Sequence, residues 1–478
     1  MRSSAAVHTQ RPPAPVPRDR PHSLVGLLLA LRKNPILTWS RQHYERPIVI
    51  EHTFLGRSAV VNDPESIRRI LVDNADNYRK DDLQKKLLTP ALGNGLLTSG
   101  GEDWRAQRRR FSPLFTPKVV GSFTTAMTAS ALSLAGRWGQ LSENGVVNVA
   151  EEMSRAMLDV LEHTLFSGGV GRAPEEFMTA ATRYFDTQGR VDPLDMLQLP
   201  SWVPRIGLLR AKPALAFFPK VVEAIVARRR LAGTSGTGPQ DLVSALIDTA
   251  ANGSAMSEAD IASNVITFIG AGHETPANTL TWSLFLLSFD EAWRRRVEAE
   301  ADREMPDGHF VEGSLDRFVV TKALIEEAMR LYPAVAIISR EAIAADILAG
   351  QQIEAGTMVV IAPWVLHRHR TLWRDADHFD PSRFMPDQRD AVDRYAYLPF
   401  GAGPRVCIGA SFAMQEMIIM LATIARSFRL DVLPGHKVEP VHRITLRSEG
   451  GMPMTLRHRR APSSDGASVA RRPVHQHV

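Results

Sequence analysis

One segment constrains the fold of this chain more than any other: residues 256–289, MSEADIASNVITFIGAGHETPANTLTWSLFLLSF. The segment reads as a single, mostly apolar helix. At 1.5 Å per residue it extends roughly 50 Å, which is long enough to cross a whole domain. Ser257 and Asp260 have the spacing of a capping box and mark its start. The fold has to accommodate this helix.

Outside this segment the sequence predicts a mainly α-helical body with a small β region, forming one large domain. Apolar residues at helical or alternating spacing carry this prediction. The predicted elements, in chain order, are a short helix at 24–31, a β-hairpin at 47–63 around Gly56, a helix from Asp63 and Pro64 to Asn74, a mainly helical region at 102–330, strands and turns at 335–362, and a last long helix from about Ile408 to Phe428. Residues 1–22 and 458–478 are rich in Pro, Ser and Arg. We expect them to be disordered tails, which leaves 23–457 as the domain.

The net charge of +5 at pH 7 does not indicate a nucleic-acid partner. Residues 1–22 carry four arginines against one aspartate, and residues 457–478 carry five arginines against one aspartate. The body between the tails is therefore slightly acidic, and no basic stripe interleaved with aromatic residues occurs in it. We expect no nucleic-acid binding, and we expect a monomer.

The chain holds one cysteine, Cys407, so it forms neither an internal disulfide nor a multi-cysteine zinc site. This favours a reducing cytoplasm as the location. The longest apolar run near the N-terminus, Leu24 to Leu31, has eight residues, whereas a spanning helix needs roughly 20. Charged residues and a proline follow it instead of the small residues of a cleavage site. We predict a short helix facing the core, and no membrane anchor.

Cys407 lies in a glycine-rich turn, FGAGPRVCIG at 400–409, directly before the last long helix. A helix N-terminus has free N–H groups and a positive dipole end, and Arg405 adds a cation, so this setting favours a thiolate. The three glycines permit backbone conformations that other residues resist, and they let the backbone approach a flat group closely. Three interpretations are open: a small buried apolar residue, a nucleophile, or a thiolate ligand of haem iron.

A resemblance decides between these interpretations. The haem-binding turn of the cytochrome P-450 superfamily, F-x-x-G-x-R-x-C-x-G, is matched residue for residue by Phe400, Gly403, Arg405, Cys407 and Gly409. The resemblance implies the cytochrome P-450 fold and a haem b cofactor. It implies Cys407 as the axial ligand of the iron. The other residues of the turn implied to bind the cofactor are Phe400, Gly401, Arg405 and Gly409.

A second family motif lies upstream in the helix LIEEAMRLYP, residues 324–333. It places Glu327 and Arg330 one helical turn apart, and HFDPSRF further along supplies Arg383. Taken alone, such a pair is usually a solvated surface bridge. In the family the matching residues form a buried charge network that supports the core near the haem. The resemblance therefore assigns them to folding and haem retention, because a buried network that loses one member is costly.

The haem propionates that the resemblance implies need basic or hydrogen-bonding donors. Trp104 and Arg108 in GEDWRAQRRRF have the spacing of the W-x-x-x-R pair of the family. Arg340 stands where the family has another propionate-binding arginine. With Arg405 they make four expected donors. The remaining arginines of the GEDWRAQRRRF helix form either a solvated face or a docking site for an acidic redox partner.

The long apolar segment contains AGHET at 271–275, which resembles the oxygen-activation motif of the family, AGx(D/E)T. Splitting dioxygen needs two protons in a water-poor pocket. The resemblance implies that Thr275 holds the water that donates them and that Glu274 relays them from solvent. Without the resemblance, Thr275 reads as a hydroxyl bonding back to a carbonyl one turn earlier, and Glu274 as an exposed acid.

Pro276 departs from the family, where Thr, Ser or Val is more usual at this position. Proline lacks the N–H that would bond the carbonyl of Gly272. We expect a local opening that leaves this carbonyl to water or to the Thr275 hydroxyl. His273 has no partner at metal-ligand spacing, and we expect it on the helix surface or at a pocket edge.

The resemblance implies a soluble, bacterial-type monooxygenase that inserts one atom of O2 into an apolar, terpenoid-, steroid- or fatty-acid-like substrate. Its electrons would come from a separate ferredoxin or flavodoxin and a reductase. Two alternatives remain. One is a peroxide-dependent haem-thiolate enzyme, although such enzymes lack the acid–alcohol pair, and the other is a non-catalytic haem protein that binds or senses a ligand.

Three mostly aliphatic segments are expected to line the substrate pocket: a loop at residues 79–97, the region 191–209, and Ala334 to Ile338. The first segment also carries four basic residues, which are Arg79, Lys80, Lys85 and Lys86. They could bind a substrate carboxylate, but solvated loop charges are the favoured interpretation.

Overall fold

The structure, a computed structural model, describes residues 11–53, 56–166 and 257–459, with isolated residues between 176 and 227. In these parts of the chain the α-helices are α1 Leu24–Lys33, α2 Pro64–Arg68, α3 Asp82–Leu92, α4 Gly101–Phe111, α5 Pro117–Ser122, α6 Thr124–Gly139, α7 Val149–Thr164, α8 Glu258–Phe289, α9 Glu291–Glu304, α10 Val319–Leu331, α11 Pro363–Leu366 and α12 Ala410–Ser427. The strands are β1 Ile48–Thr53, β2 Gly56–Val61, β3 Tyr78–Arg79, β4 Gly145–Asn148, β5 Ile338–Ala342, β6 Asp346–Leu348, β7 Gln351–Ile353, β8 Met358–Ile361, β9 Phe428–Val432, β10 Pro440–His442, β11 Leu446–Ser448 and β12 Pro453–His458.

The long apolar segment forms α8, one helix of 32 residues at the centre of the domain. Its capping box is present as predicted: Ser257 Oγ accepts from the Asp260 N–H, and the Asp260 carboxylate accepts from the Ser257 N–H. Most of its side chains are buried, because α7, α10, α12 and β9 pack around it. Pro276 lies inside the helix without ending it. The described chain is mainly α-helical with small sheets and forms a single domain, which confirms the predicted fold class.

The β region consists of one five-stranded sheet, in the order β1-β2-β8-β5-β3, and three smaller sheets. The predicted hairpin is present as β1 and β2, with Ile48 opposite Val61 and Thr53 opposite Gly56. β8 pairs parallel to β2 and antiparallel to β5. The smaller sheets are β4-β12-β9, β10-β11 and β6-β7. β10 and β11 form a hairpin that bears on the functional site.

The helix predicted from Pro64 to Asn74 is present, although its second half is wider than an α-helix. Asp63 caps α2 by accepting from the Ser66 N–H at 2.8 Å. A π-helical turn at Arg69–Asp73 follows directly. The segment 79–97, which we expected to be a loop, contains α3 instead.

The prediction that the first helix faces the core is wrong. α1 forms where expected, but Ala30 is its one buried residue, while Leu24, Val25 and Leu29 are 50%, 66% and 63% exposed. The run is apolar around the whole helix, so one side meets the body and the other is left in solvent. None of the described helices is both long and apolar enough to cross a membrane.

Residues 11–22, part of the expected disordered arm, lie against the body in the structure. The Tyr332 hydroxyl donates to the Pro13 carbonyl at 2.9 Å, and the Arg41 N–H donates to the Arg18 carbonyl at 2.7 Å. The arm contributes backbone carbonyls to these bonds, so its composition gave no sign of them. The domain boundaries remain predictions, and residues 1–10 and 460–478 lie outside the described chain.

Candidate active site

The turn around Cys407 is held by its own backbone. The Cys407 N–H donates to the Phe400 carbonyl at 2.9 Å, which closes the loop. Gly409 is the N-cap of α12, so Cys407 lies at the N-terminus of that helix. The Cys407 side chain is exposed.

The glycines of this turn differ in what requires them. Gly401 and Gly403 have φ of 71° and 72°, in the left-handed region that favours glycine. A Cβ on Gly403 would also lie 1.8 Å from the carbonyl oxygen of Leu71. Gly409 has φ of −90°, and a Cβ there would touch only Phe115, at 3.8 Å. The backbone therefore requires glycine at 401 and 403, but not at 409.

The expectation that the turn alone favours a thiolate is not met. Although the residue has solvent-accessible area, desolvation of its thiol by the surrounding protein raises the pKa of Cys407, while the Gly409 N–H and the Arg108 charge oppose this rise. Arg405, which we expected to supply the nearby cation, lies over the Trp104 ring instead, with Cζ 4.2 Å from the ring centroid. A bound metal deprotonates a coordinating thiol outright. Ionisation of Cys407 would therefore come mainly from the metal.

The middle of α8 exposes one face. Ala271 is exposed although most of the helix is buried, and Thr275 lies one turn further on, half-buried. Thr275 Oγ1 donates to the Ala271 carbonyl at 2.8 Å, so the hydroxyl bonds back along its own helix. It does not use the carbonyl of Gly272, which Pro276 leaves without its usual donor. Of the two partners expected for the Gly272 carbonyl, water and the Thr275 hydroxyl, the second is therefore wrong.

A cluster of phenylalanines connects α8 to the cysteine turn. Phe268 of α8 stacks on Phe115 at 5.6 Å between ring centroids, and Phe115 makes an edge contact with Phe412 of α12 at 6.5 Å. Phe111 packs edge-on against Phe268 at 5.2 Å. Because these rings are rigid, the cluster fixes the separation between the Ala271 face and the turn that bears Cys407.

Glu274 is half-buried rather than exposed. Burial raises its pKa to about 7, and a hydrogen bond from the Thr445 side chain opposes this rise. Its Oε2 atom is buried and has no hydrogen-bond partner among the described residues. A carboxyl with a pKa near neutrality can both donate and accept a proton at physiological pH.

The expectation that His273 lies on the helix surface or at a pocket edge is wrong. The side chain is buried, and its Nε2 lies 2.6 Å from the Ser154 hydroxyl of α7. Burial lowers its pKa to about 4, so it is neutral. His273 thus belongs to the contact between α7 and α8.

The structure brings three cations together at the cysteine turn: Arg405 of the turn itself, and Lys80 and Arg340 from other segments. Burial, followed by the charges of the two arginines, lowers the pKa of Lys80 to about 7. Burial, followed by the charge of Arg340, lowers the pKa of Arg405 to about 10. Asp81 is the carboxylate that opposes these effects at Lys80 and Arg340. Three half-buried cations beside one carboxylate form a site that needs further negative charge.

Three of the four expected propionate donors, Trp104, Arg340 and Arg405, surround this site. The fourth, Arg108, lies nearer the Cys407 thiol. Arg405 lies over Trp104 and donates to the Ser99 carbonyl from both Nη atoms at 3.3 Å. Arg340 donates to the Ser339 carbonyl at 2.7 Å. Arg108 is half-buried, and its charge acts on Cys407.

Sequence reasoning missed the role of Lys80, which we had treated as a solvated loop charge. Its Nζ donates to the Leu97 carbonyl beside the two arginines. The other basic residues of the segment match the favoured interpretation: Arg79 pairs with Glu341 at 2.7 Å, Lys85 lies 3.6 Å from Asp82, and Lys86 is exposed. Only the spatial position of Arg340, far away in sequence, distinguishes Lys80 from its neighbours.

The donor set fits a haem. A thiol stands at a helix N-terminus, and three cations with a deficit of negative charge match the two carboxylates of the propionates. A Cβ added to Gly270 of α8 or to Gly401 of the cysteine turn would meet no atom within 4 Å. Each position therefore offers room for a flat group.

The Glu327 network is buried as the resemblance implied. Arg330 pairs with Glu327 through two bonds of 2.6 and 2.7 Å, and both side chains have no exposed area. Arg330 also donates to the carbonyls of His367 and Ala376, at 2.8 and 2.7 Å. Arg383 Nε lies 3.8 Å from the Glu327 carboxylate. The network ties α10 to the segment that leads to the cysteine turn.

These features define a haem-thiolate protein. A family model described as Cytochrome P450 matches residues 15–452. The chain belongs to the cytochrome P450 family, whose haem iron is held by a cysteine thiolate. It is a P450 monooxygenase, as predicted.

Relatives with assigned activities cover most of the chain. A cyclooctat-9-en-7-ol 5-monooxygenase of Streptomyces melanosporofaciens is 29% identical over 414 residues, which is 86% of this chain and 88% of the relative. A pentalenene oxygenase of Streptomyces avermitilis is 32% identical over 381 residues, covering 79% and 83%. The crystal structure of the cytochrome P450DA haem domain matches the fold with a TM-score of 0.79 at 23% identity, over 94% of this chain and 98% of that one.

Proposed function

We propose that this chain is a haem b monooxygenase in which Cys407 is the axial thiolate ligand. Trp104, Arg340 and Arg405, joined by Lys80, would bind the propionates, and Arg108 would lie between them and the thiolate. The observation that carries this proposal is the set of three half-buried cations beside the cysteine turn, on which Asp81 is the one carboxylate that acts among the described residues. When bound, haem iron supplies the activation of dioxygen, and the thiolate pushes electron density that favours O–O cleavage.

The reaction consumes O2, two electrons and two protons. One oxygen atom enters a C–H bond of the substrate, and the other leaves as water. Glu274 would supply protons, since its pKa of about 7 lets it lose and regain one near neutrality. Thr275, on the exposed face of α8, would hold the water through which they pass.

An apolar substrate agrees with the described part of the pocket. Val335 is exposed, and Ile337 and Ile338 are half-buried, so this wall is aliphatic. The two Streptomyces relatives are named for an alkene and an unsaturated alcohol, which are largely hydrocarbon molecules. We infer a terpenoid-, steroid- or fatty-acid-like substrate. The other expected wall, residues 191–209, lies outside the described residues.

The electrons would come from a separate ferredoxin or flavodoxin. α4 carries Arg108 close to Cys407 and exposes Arg109 on its surface, which suits an acidic partner. Arg105 is less available, because it already pairs with Glu102 and Asp76 at 2.7 and 2.8 Å.

The test uses the purified holoprotein with a ferredoxin, its reductase, NADPH and a panel of apolar hydrocarbons under 18O2. A monooxygenase consumes NADPH in response to substrate, and its product gains one 18O atom. Product formation from hydrogen peroxide alone, with no response to NADPH, would show the peroxide-dependent alternative. Ligand-induced spectral shifts with no product under either condition would show a binding protein.

A further inference from the structure

The loop that joins α3 to α4, residues 93–99, lies directly on α8. Gly95 approaches the helix closely: a Cβ there would lie 2.8 Å from the Ser263 carbonyl oxygen and would overlap the Thr267 hydroxyl. A Cβ on Gly93 would overlap the Ser263 hydroxyl. Because glycine leaves no side chain between loop and helix at these two positions, the loop backbone itself is in contact with α8.

One buried side chain of α8, that of Asn264, bonds this loop. Its Oδ1 accepts from the Leu96 N–H at 2.9 Å, and its Nδ2 donates to the Asp260 carbonyl at 2.9 Å. The residue has no exposed area. The neighbouring hydroxyls of Ser263 and Thr267 bond back to carbonyls of their own helix, each at 2.7 Å. Asn264 therefore supplies a directional link from α8 to the loop.

The next residues of the loop hold two cations of the expected propionate site. The Leu97 carbonyl accepts from Lys80 Nζ, and the Ser99 carbonyl accepts from both Nη atoms of Arg405 at 3.3 Å. Lysine and arginine side chains have many rotamers, so a fixed acceptor restricts where each charge lies. The positions of these two cations thus follow from the position of the loop.

The loop is also tied to α4 and to itself. Gln107 of α4 donates from Nε2 to the Asn94 carbonyl at 3.0 Å, and α4 carries Trp104, another expected propionate donor. Within the loop, the Thr98 hydroxyl donates to the Gly93 carbonyl at 2.6 Å. The loop is therefore a compact connection between α8 and the elements that carry the propionate donors.

We propose that Asn264 is a positioning residue for the propionate site: by holding the loop on α8, it fixes the two carbonyls that orient Lys80 and Arg405. The proposal rests on the function proposed above, in which these cations bind the propionates. Without the amide, the Leu96 N–H is left buried with no acceptor, which is costly, so the loop leaves α8 to reach water. The two cations then lose their fixed acceptors, and ordering them again weakens the binding of haem.

The first test measures haem transfer from the purified ferric holoprotein to a haem-scavenging apoglobin. We expect Asn264→Leu to lose haem about tenfold faster, the weight of one buried hydrogen bond. Asn264→Asp keeps an acceptor for the Leu96 N–H and should restore most of the wild-type rate. The control is Asn278→Leu, which removes another buried amide of α8, one that donates to Thr445 Oγ1 at 3.2 Å. Equal rates in Asn264→Leu and the wild type, or equal acceleration in both leucine variants, overturn the proposal.

The second test reads the propionates directly, through their bending band in the resonance Raman spectrum of the holoprotein. In Asn264→Leu this band should shift in the same direction as in Lys80→Met, whereas a loss of packing alone leaves it in place. The two substitutions should also be non-additive, because the loop positions the lysine. In the Lys80→Met background, Asn264→Leu should therefore accelerate haem loss by less than tenfold. An unmoved band, or the full acceleration in that background, contradicts the proposal.

A second variant covers a poor yield of Asn264→Leu holoprotein. Gly95→Ala leaves the amide intact but places a methyl group against the Ser263 carbonyl, so it lifts the loop from α8. It should reproduce both the faster haem loss and the band shift, and wild-type values of both in this variant overturn the proposal. A wild-type protein that holds haem but oxidises no substrate contradicts the proposed function alone, since the transfer rates still decide the role of Asn264.

Discussion

Gly403 and Leu71 are in direct backbone contact: a Cβ on Gly403 would lie 1.8 Å from the Leu71 carbonyl oxygen. Leu71 belongs to the π-helical turn Arg69–Asp73, far from the cysteine turn in sequence. The wide turn brings this carbonyl against the loop that bears Cys407. The contact therefore fixes the cysteine turn against the β-sheet side of the domain.

Gly403→Ala should disrupt the cysteine turn. The left-handed backbone alone costs about 1–2 kcal/mol, and the overlap with a backbone atom adds to this. Gly401→Ala has the same backbone cost without the overlap, and Gly409→Ala has neither. We expect thermal stability and haem content to fall most in Gly403→Ala, less in Gly401→Ala, and little in Gly409→Ala. Equal effects at 401 and 403 would contradict a role for the Leu71 contact.

Arg330→Lys should unfold much of the protein. The substitution keeps the charge but loses the bidentate geometry, and breaking a buried pair costs about 3–5 kcal/mol. The matched control is Arg389→Ala, because Arg389 lies 3.4 Å from Glu326, the neighbour of Glu327, in a partly exposed pair. Because Arg389 keeps its guanidinium partly in solvent, we expect a smaller loss of stability there. The midpoint of urea unfolding and the yield of haem-loaded protein measure both. Similar losses of stability in the two variants would show that burial does not increase the contribution of the Glu327–Arg330 pair.

Lys80→Met should abolish the proton uptake that accompanies haem binding. The pKa of free Lys80 is about 7, and two propionates would raise it, so binding at pH 8 takes up a proton. Haem affinity should accordingly fall as pH rises through the higher, haem-bound pKa. Calorimetric titration of the apoprotein in two buffers of different ionisation enthalpy measures this uptake. We expect the uptake in the wild type and in Lys86→Met, where the lysine is exposed, and its loss in Lys80→Met. Undiminished uptake in Lys80→Met places the lysine outside the propionate site.

Glu274→Gln should raise the stability of the protein above pH 7 while it lowers product formation. The pKa of Glu274 is raised from 4.5 to about 7 by folding, so the folded protein binds more protons than the unfolded chain between these values. Stability of the wild type therefore falls as pH rises from about 4.5 to about 7, and the amide removes this loss. We expect Glu274→Gln to melt at a higher temperature than the wild type above pH 7, and at an equal temperature near pH 4. Product formation should fall about 10²-fold. Parallel melting curves across this range would show that Glu274 is solvated.

The sequence predicted elements whose signals are local, and it failed where contacts join distant segments. The capping box of α8, the hairpin around Gly56 and the glycine-rich turn each depend on a few adjacent residues. Lys80 gains its role from Arg340, and His273 gains its contact with Ser154 from α7. The outward face of α1 follows from a run that is apolar on all sides, which specifies a helix but no orientation. The deficit of carboxylates in the cation cluster is likewise visible only in three dimensions.

The most direct test of haem-thiolate ligation is the absorption spectrum of the reduced holoprotein under carbon monoxide, with Cys407→His as the matched variant. We expect the strongly red-shifted Soret band of a thiolate-ligated carbonyl complex in the wild type, and an imidazole-like band or loss of haem in Cys407→His. An imidazole-like band in the wild-type protein itself, or no haem at all, would show that Cys407 does not bind the iron.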